Sequence, residues 1–170
     1  MARRRKKKVY YVDSSALSKL YLNEPGSEPL QRPVGTREKR FKVSVQLCVS
    51  RMAFPETLLA IRKQMNVGNI EYADAVRLWR EVLDDFVYSP TPYAVYEATE
   101  VVAGHAAALV IQHGLRAYDA VHLSTAMRIR AGLPEGTEMV FVSADRRLNN
   151  VARQERFTVY DPTLVAPAAN

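Results

Sequence analysis

Five short runs rich in β-branched and aromatic residues alternate with longer stretches of helical periodicity, and two of those runs end on or next to an aspartate. KVYYV (8–12) stops at Asp13, and MVFVS (139–143) is followed by Ala144 and Asp145. The remaining strand-like runs are VSVQLCV (43–49), FVYSP (86–90) and FTVY (157–160). A helix is expected over Ala16–Leu22, capped by Ser14 or Ser15. Others are expected from Ser50 to about Gln64 (Phe54, Leu58 and Ile61 at helical spacing) and over Glu71–Phe86 (Ala75, Leu78, Trp79, Val82 and Leu83 on one face). Further helices are expected over Tyr93–His113, over Tyr118–Arg130, and after Asp145 through Gln154. Gly114, Gly132 and Pro134 supply the stops. Residues 27–42 contain Pro29, Pro33 and Gly35 and are basic (Arg37, Lys39, Arg40, Lys42), so they read as irregular or as one short helix. Strands alternating with helices predict right-handed βαβ units. The result is an open, mostly parallel α/β sheet with helices on both faces, an α/β/α sandwich. Ligands of such sheets bind beyond the carboxyl ends of the strands.

A chain of 170 residues buries one core without metal clips or disulfides. The domain is expected over 8–162, between a basic leader (1–7) and a frayed tail (163–170). The formal charge is +6, from 24 basic and 18 acidic residues. Six of the basic residues form one run, Arg3 to Lys8, so the body beyond it is formally neutral. The chain is therefore not a generally basic nucleic-acid binder, and any groove for a polyanion must arise from local arrangement. Cys48, the single cysteine, excludes an intrachain disulfide and a thiolate zinc cluster, which suits a reducing cytoplasmic compartment. No apolar run reaches the roughly 18 residues a membrane span requires. Asp13 and Lys19 interrupt the apolar stretch after the leader, which argues against a secretory signal.

In a parallel sheet Asp13 and Asp145 emerge at the same edge. Asp119 lies in the first turn of YDAVHLSTA, whose amino end faces that edge, and Glu56 is a charge among apolar helix positions. Singly, Asp13 and Asp145 also suit helix caps, and Glu56 a solvated first turn. Together, four carboxylates at one edge repel unless a cation sits among them. Ligands that are all oxygen favour a hard ion, Mg²⁺ or Mn²⁺.

VDSSAL with Asp13, PETLLAIRK with Glu56, GLRAYDAVHLSTA with Asp119 and FVSADRRL with Asp145 together resemble the motifs of PIN-domain nucleases. The wording is most similar to the VapC-type toxins of toxin–antitoxin pairs. The resemblance spans about residues 8–162. It implies a metal-dependent endoribonuclease cutting tRNA, rRNA or mRNA, in which the four carboxylates hold one or two Mg²⁺ ions that polarise the scissile phosphate. Asp13 and Asp119 would be direct ligands, Glu56 a ligand or the residue orienting the attacking water, and Asp145 a ligand directly or through water. Ser143 and Ser14 would support them, although Ser143 also simply ends a strand. Arg116, Arg146 and Arg147 would touch RNA phosphates or serve as surface charges. The family further implies a VapB-like antitoxin in the active-site groove, and a homodimer supported by the helices at 51–64 and 71–86. Pro55 just before Glu56 requires that this helix begin near Arg51–Pro55, because proline is tolerated only in a first turn.

His122 shares a helix face with Asp119 and reads as a packing or hydrogen-bonding residue, as do His105 and His113. Trp79 reads as core or interface, and Tyr10, Tyr11 and Tyr21 as buried. Two other functions compete. One is a non-catalytic RNA-binding or ribosome-associated protein that uses the leader and residues 37–42. The other is an acidic-site phosphohydrolase or phospho-receiver on a similar sheet; a receiver needs an acidic pair after the first strand and a late lysine. Here Ser14 and Ser15 follow Asp13, and Arg146 and Arg147 follow Asp145.

Overall fold

The computed structural model describes residues 8–36, 45–88 and 92–165, so the leader, residues 37–44 and the end of the tail lie outside the described residues. Five strands form one sheet: β1 (Lys8–Val12), β2 (Val45–Ser50), β3 (Ala94–Tyr96), β4 (Met139–Val142) and β5 (Thr158–Tyr160). Their order is β3-β2-β1-β4-β5, and every pairing is parallel. The central strand β1 pairs with β2 on one side (Tyr10 opposite Leu47) and with β4 on the other (Tyr11 opposite Phe141). The expected α/β/α sandwich is therefore present, with an entirely parallel sheet.

Successive strand residues face opposite sides, and both sides are covered. Tyr10, Val12, Leu47, Val49, Val140 and Val142 belong to one core, shared with α1 (Ser14–Leu17), α2 (Ser27–Val34), α3 (Ala53–Asn66) and α4 (Tyr72–Val87). Val9, Tyr11, Cys48, Met139 and Phe141 belong to the other, shared with α5 (Glu100–His113), α6 (Ala117–Ala131) and α7 (Arg146–Gln154). Burial on both faces explains why β1 and β4 read as continuous apolar runs instead of alternating ones.

Several expectations change in detail. The helix expected over Ala16–Leu22 is α1 followed by a 3₁₀ turn, Ser18–Leu20, and its cap is Asp13, not Ser14 or Ser15. The segment after it contains the short helix α2. The strand expected over FVYSP (86–90) is absent among its described residues, because α4 continues to Val87. Phe86 extends the buried stripe of Ala75, Leu78 and Val82 by one more turn and stacks on Phe54 at 5.3 Å. The third strand lies further on, at Ala94–Tyr96, inside the helix expected to start at Tyr93. That helix starts instead at Glu100, where Thr99 caps it by accepting the Val102 N–H. Arg51 clasps this corner, donating to the Phe86 carbonyl (3.0 Å) and to Glu97 (3.0 Å). Pro55 falls in the first turn of α3, as its chemistry demands. Tyr10, Tyr11 and Tyr21 are buried, while Trp79 is half-buried and donates to the Leu58 carbonyl.

Candidate active site

The parallel pairing of β1 and β4 carries their carboxyl ends to one edge. The Asp13 N–H donates to the Val142 carbonyl (3.0 Å), so the two strands finish level and Asp13 stands beside the Ser143–Asp145 turn. Asp13 is only 3% exposed. Its Oδ1 accepts the Ser15 hydroxyl (2.8 Å) and the Ala16 N–H (3.0 Å), and its Oδ2 accepts the Ser143 hydroxyl (3.0 Å). Each hydroxyl also ties down the Ser143–Asp145 turn: Ser15 Oγ accepts the Ala144 N–H (2.9 Å), and Ser143 Oγ the Asp145 N–H (3.0 Å). Ser143, expected either to support a carboxylate or simply to end a strand, here donates to Asp13. The second bracing hydroxyl comes from Ser15, where Ser14 was expected. In this first turn it is the i+2 side chain that folds back over the cap.

Burial pushes the Asp13 carboxyl up to about 6, against the His122 charge and the three hydrogen bonds, which act to lower it. Burial likewise raises Asp119, and the neighbouring charges of Asp145 and Glu56 push in the same direction. Arg116 and His122 oppose that rise, which places their charges within reach of Asp119. Asp119 sits in the first turn of α6, where the helix dipole favours a carboxylate. Asp145 caps α7 through Oδ1, which accepts the Leu148 N–H at 2.8 Å. The capping role weighed for Asp145 is therefore real, and it occupies one of the two oxygens. Among the described residues, Asp13, Asp119 and Asp145 make no ion pair with lysine or arginine.

Glu56 reaches the same edge from α3, on the opposite face of the sheet. Its Oε2 lies 2.7 Å from His122 Nε2, and His122 Nδ1 lies 2.8 Å from the Tyr11 hydroxyl. His122 is 1% exposed, so it is the hydrogen-bonded structural residue expected, but its partner is one of the four carboxylates. Nothing local in the sequence announces that contact. His113 pairs with Glu155 (2.9 Å), and His105 is exposed. Arg116 and Arg146 are exposed at the helix starts beside Asp119 and Asp145. Arg147 donates to the carbonyl of Gly114, whose left-handed φ of 64° closes α5.

Among the described residues, no three His, Cys, Asp or Glu side chains close into a ready-made metal cage. The donor set nevertheless fits a hard divalent ion. It is made of oxygens, Asp13, Asp119 and Asp145 form no ion pair with lysine or arginine among the described residues although the Arg116 charge lies within reach of Asp119, and Mg²⁺ takes only one or two carboxylates while keeping several waters. A cavity of about 700 Å³ opens elsewhere, lined by Tyr96, Thr99, Val102, Arg128 and Leu133, and none of the four carboxylates lines it. No helix among the described residues is long and apolar enough to cross a membrane.

Residues 10–154 match the PIN domain family. Ribonuclease VapC45 of Mycobacterium tuberculosis (strain CDC 1551 / Oshkosh) is 33% identical over 147 residues, covering 85% of this chain and 89% of its own. Ribonuclease VapC49 of Mycobacterium tuberculosis (strain H37Rv) gives the same figures, 33% over 147 residues with 85% and 89% covered. PAE2754 from Pyrobaculum aerophilum superposes with a TM-score of 0.55 at 22% identity, covering 85% of this chain and 79% of that one. A toxin–antitoxin complex from Klebsiella pneumoniae does so at 0.55 and 15%, covering 90% and 97%. FitAcB from Neisseria gonorrhoeae reaches 0.59 at 15%, covering 92% and 99%. At such identities these structures speak for the fold alone. The family match over most of the chain and the two relatives at one-third identity go further: the chain belongs to the PIN-domain family and is homologous to the VapC ribonucleases.

Proposed function

We propose that the chain is a divalent-metal-dependent endoribonuclease that acts as the toxin of a toxin–antitoxin pair. The observation that carries this reading is electrostatic. Asp119 is destabilised as an anion by burial and by the charges of Asp145 and Glu56, which outweigh the opposing influence of Arg116 and His122, at an edge where Asp13 is also buried without an ion pair to lysine or arginine. Such a site favours a bound cation. Asp13, Asp119, Asp145 and Glu56 would hold Mg²⁺ or Mn²⁺, which when bound would offset their repulsion and polarise a phosphodiester. Ser15 and Ser143 fix the rotamer of Asp13, so that its remaining lone pairs keep one direction. Asp145 is fixed by its cap and offers its other oxygen. The exposed Arg116 and Arg146 would take RNA phosphates, and Arg147 would do so with the guanidinium N–H groups not spent on Gly114.

The names of the two relatives support ribonuclease activity, and the Klebsiella pneumoniae complex supports an antitoxin partner. Leu59, Tyr72, Leu83, Val87 and Tyr88 are exposed apolar side chains on or at the end of the α3–α4 pair. That pair would receive the antitoxin and support a homodimer.

The test is cleavage of a structured RNA pool by purified protein in Mg²⁺, in EDTA, and after Asp119→Ala. Cleavage is expected only in Mg²⁺, with a loss of roughly 10²–10³-fold in the variant. RNA binding that survives EDTA without cleavage, in wild type and variant alike, would sink the enzymatic reading in favour of a binding protein. Removing residues 2–7 is expected to weaken RNA association and flatten its salt dependence, by a log–log slope of up to about 0.9 per lost phosphate contact. Mg²⁺-dependent cleavage should persist in that deletion, as read by salt titrations of binding beside cleavage assays.

A further inference from the structure

Three elements from both faces of the sheet meet in one buried chain of hydrogen bonds. Tyr11, fully buried at the middle of β1, reaches Nδ1 of His122 on α6 at 2.8 Å, and Nε2 of the same ring reaches Oε2 of Glu56 on α3 at 2.7 Å. A carboxylate offers only lone pairs, so Nε2 must carry the proton and donate to Glu56, whether or not Nδ1 is also protonated. Phe141 stacks on the Tyr11 ring at 5.5 Å and the His122 ring meets Tyr11 edge-on at 6.1 Å, so the phenol cannot swing away. The imidazole also acts electrostatically on Asp13 and on Asp119. His122 therefore sits among three of the four carboxylates while hydrogen-bonding only one.

We propose that Tyr11 and His122 form a positioning relay that holds Glu56 at the acidic edge, fixing one carboxylate oxygen so that the other keeps a single direction toward the metal and substrate. The inference rests on the metal-dependent nuclease reading and extends it to two residues that touch neither substrate nor metal. The physical need is clear. Glu56 is still one-quarter exposed, on a helix whose first turn begins just beyond β2, and a glutamate there has three rotatable bonds. A carboxylate that wanders among rotamers binds a metal weakly and orients water poorly. Hydrogen-bond partners of metal-site residues cost about 10–100-fold in metal affinity or activity when removed.

The experiment uses the whole chain and Mn²⁺ as probe. Mn²⁺ affinity is read by electron paramagnetic resonance, and kcat and KM are read on one cleaved RNA. His122→Leu should weaken Mn²⁺ binding and lower kcat by about 10–100-fold, with KM for RNA unchanged. His122→Gln, which returns an N–H donor, should recover much of both losses at a similar melting temperature. Tyr11→Phe removes only a hydroxyl, keeps the ring stack, and should show a smaller loss of the same kind. It also serves if His122→Leu does not fold. Wild-type affinity and kcat in either His122→Leu or Tyr11→Phe overturn the relay, and so does a His122→Gln variant as impaired as His122→Leu. Wild-type protein that neither binds Mn²⁺ nor cuts RNA overturns the nuclease reading, and the relay with it.

Discussion

Replacing Asp13 with asparagine is expected to lower RNA cleavage by roughly 10²–10³-fold while making the metal-free protein more stable at neutral pH. The side chain is nearly inaccessible, and burial raises its carboxyl from 3.8 to about 6. Between those values the folded state keeps a proton that the unfolded chain has released. Stability therefore falls as pH rises from about 4 to 6, and the full deficit is present above that window. Its size is on the order of 3 kcal/mol for a shift of this extent. Asparagine removes the charge and fits the cage. Its Oδ1 still accepts from Ala16 and Ser15, while its amide donates to Ser143 Oγ, whose proton turns toward Ser15 Oγ 3.3 Å away. Urea melts in EDTA at pH 4.5 and 7.5 provide the check. The variant should gain about 1–3 kcal/mol over wild type at the higher pH and little at the lower. Equal pH dependence in the two proteins would show that Asp13 is not the strained group. Added Mg²⁺ should stabilise wild type at pH 7.5 and the variant much less, since bound cation and missing charge relieve the same cost.

Phe141→Ala should produce the largest loss of stability from a single side chain, about 3–5 kcal/mol. Phe141 is fully buried at the middle of β4, parallel to the Tyr11 ring and 5.6 Å from Phe157. Truncation opens a cavity between the sheet and the helices α5–α7, in a layer whose strands are held in place by their own pairing. Against a total of about 5–15 kcal/mol the loss is severe, and it should lower Tm by roughly 6–20 °C in a domain of this size. Ile111→Ala is the control, since Ile111 is 87% exposed and its truncation should cost under about 0.5 kcal/mol. Calorimetry on the two variants separates them. A Phe141→Ala cost below about 1 kcal/mol would mean that β4 is not packed as described.

The sequence shows β1 and β4 plainly, because strands buried on both faces must be apolar at every position, and each runs out at or next to an aspartate. It misplaces β3 because Phe86 and Val87 have the composition of a strand, while the spacing of Phe86 completes the buried stripe of α4. The real β3 is three residues long, half-exposed, and too short to show a period. Asp13 and Asp145 follow from strand ends and parallel pairing, which are local features plus one topological rule. The bracing hydroxyl of Ser15 depends on a helix beginning at Ser14, two residues earlier than the expected start at Ala16. The Glu56–His122 contact joins residues 66 positions apart from opposite faces of the sheet. Spacing could place His122 beside Asp119, but only the packed sheet brings α3 to it.

The order of the sheet also sets a timetable. The first strand made is the central one, and its neighbour β2 follows soon after, but its other neighbour β4 comes only near the end of the chain. Until Met139–Val142 has been synthesised, β1 has one unpaired edge, and Asp13 lacks the Val142 carbonyl that levels it and the Ser143 hydroxyl that braces it. The growing polypeptide therefore cannot assemble its acidic edge, whatever the length of the amino-terminal part already folded. For a protein proposed to attack RNA, this order has a consequence: a product terminated before Met139 would lack Asp145 and the Val142 and Ser143 contacts to Asp13, and is expected to show no Mg²⁺-dependent cleavage.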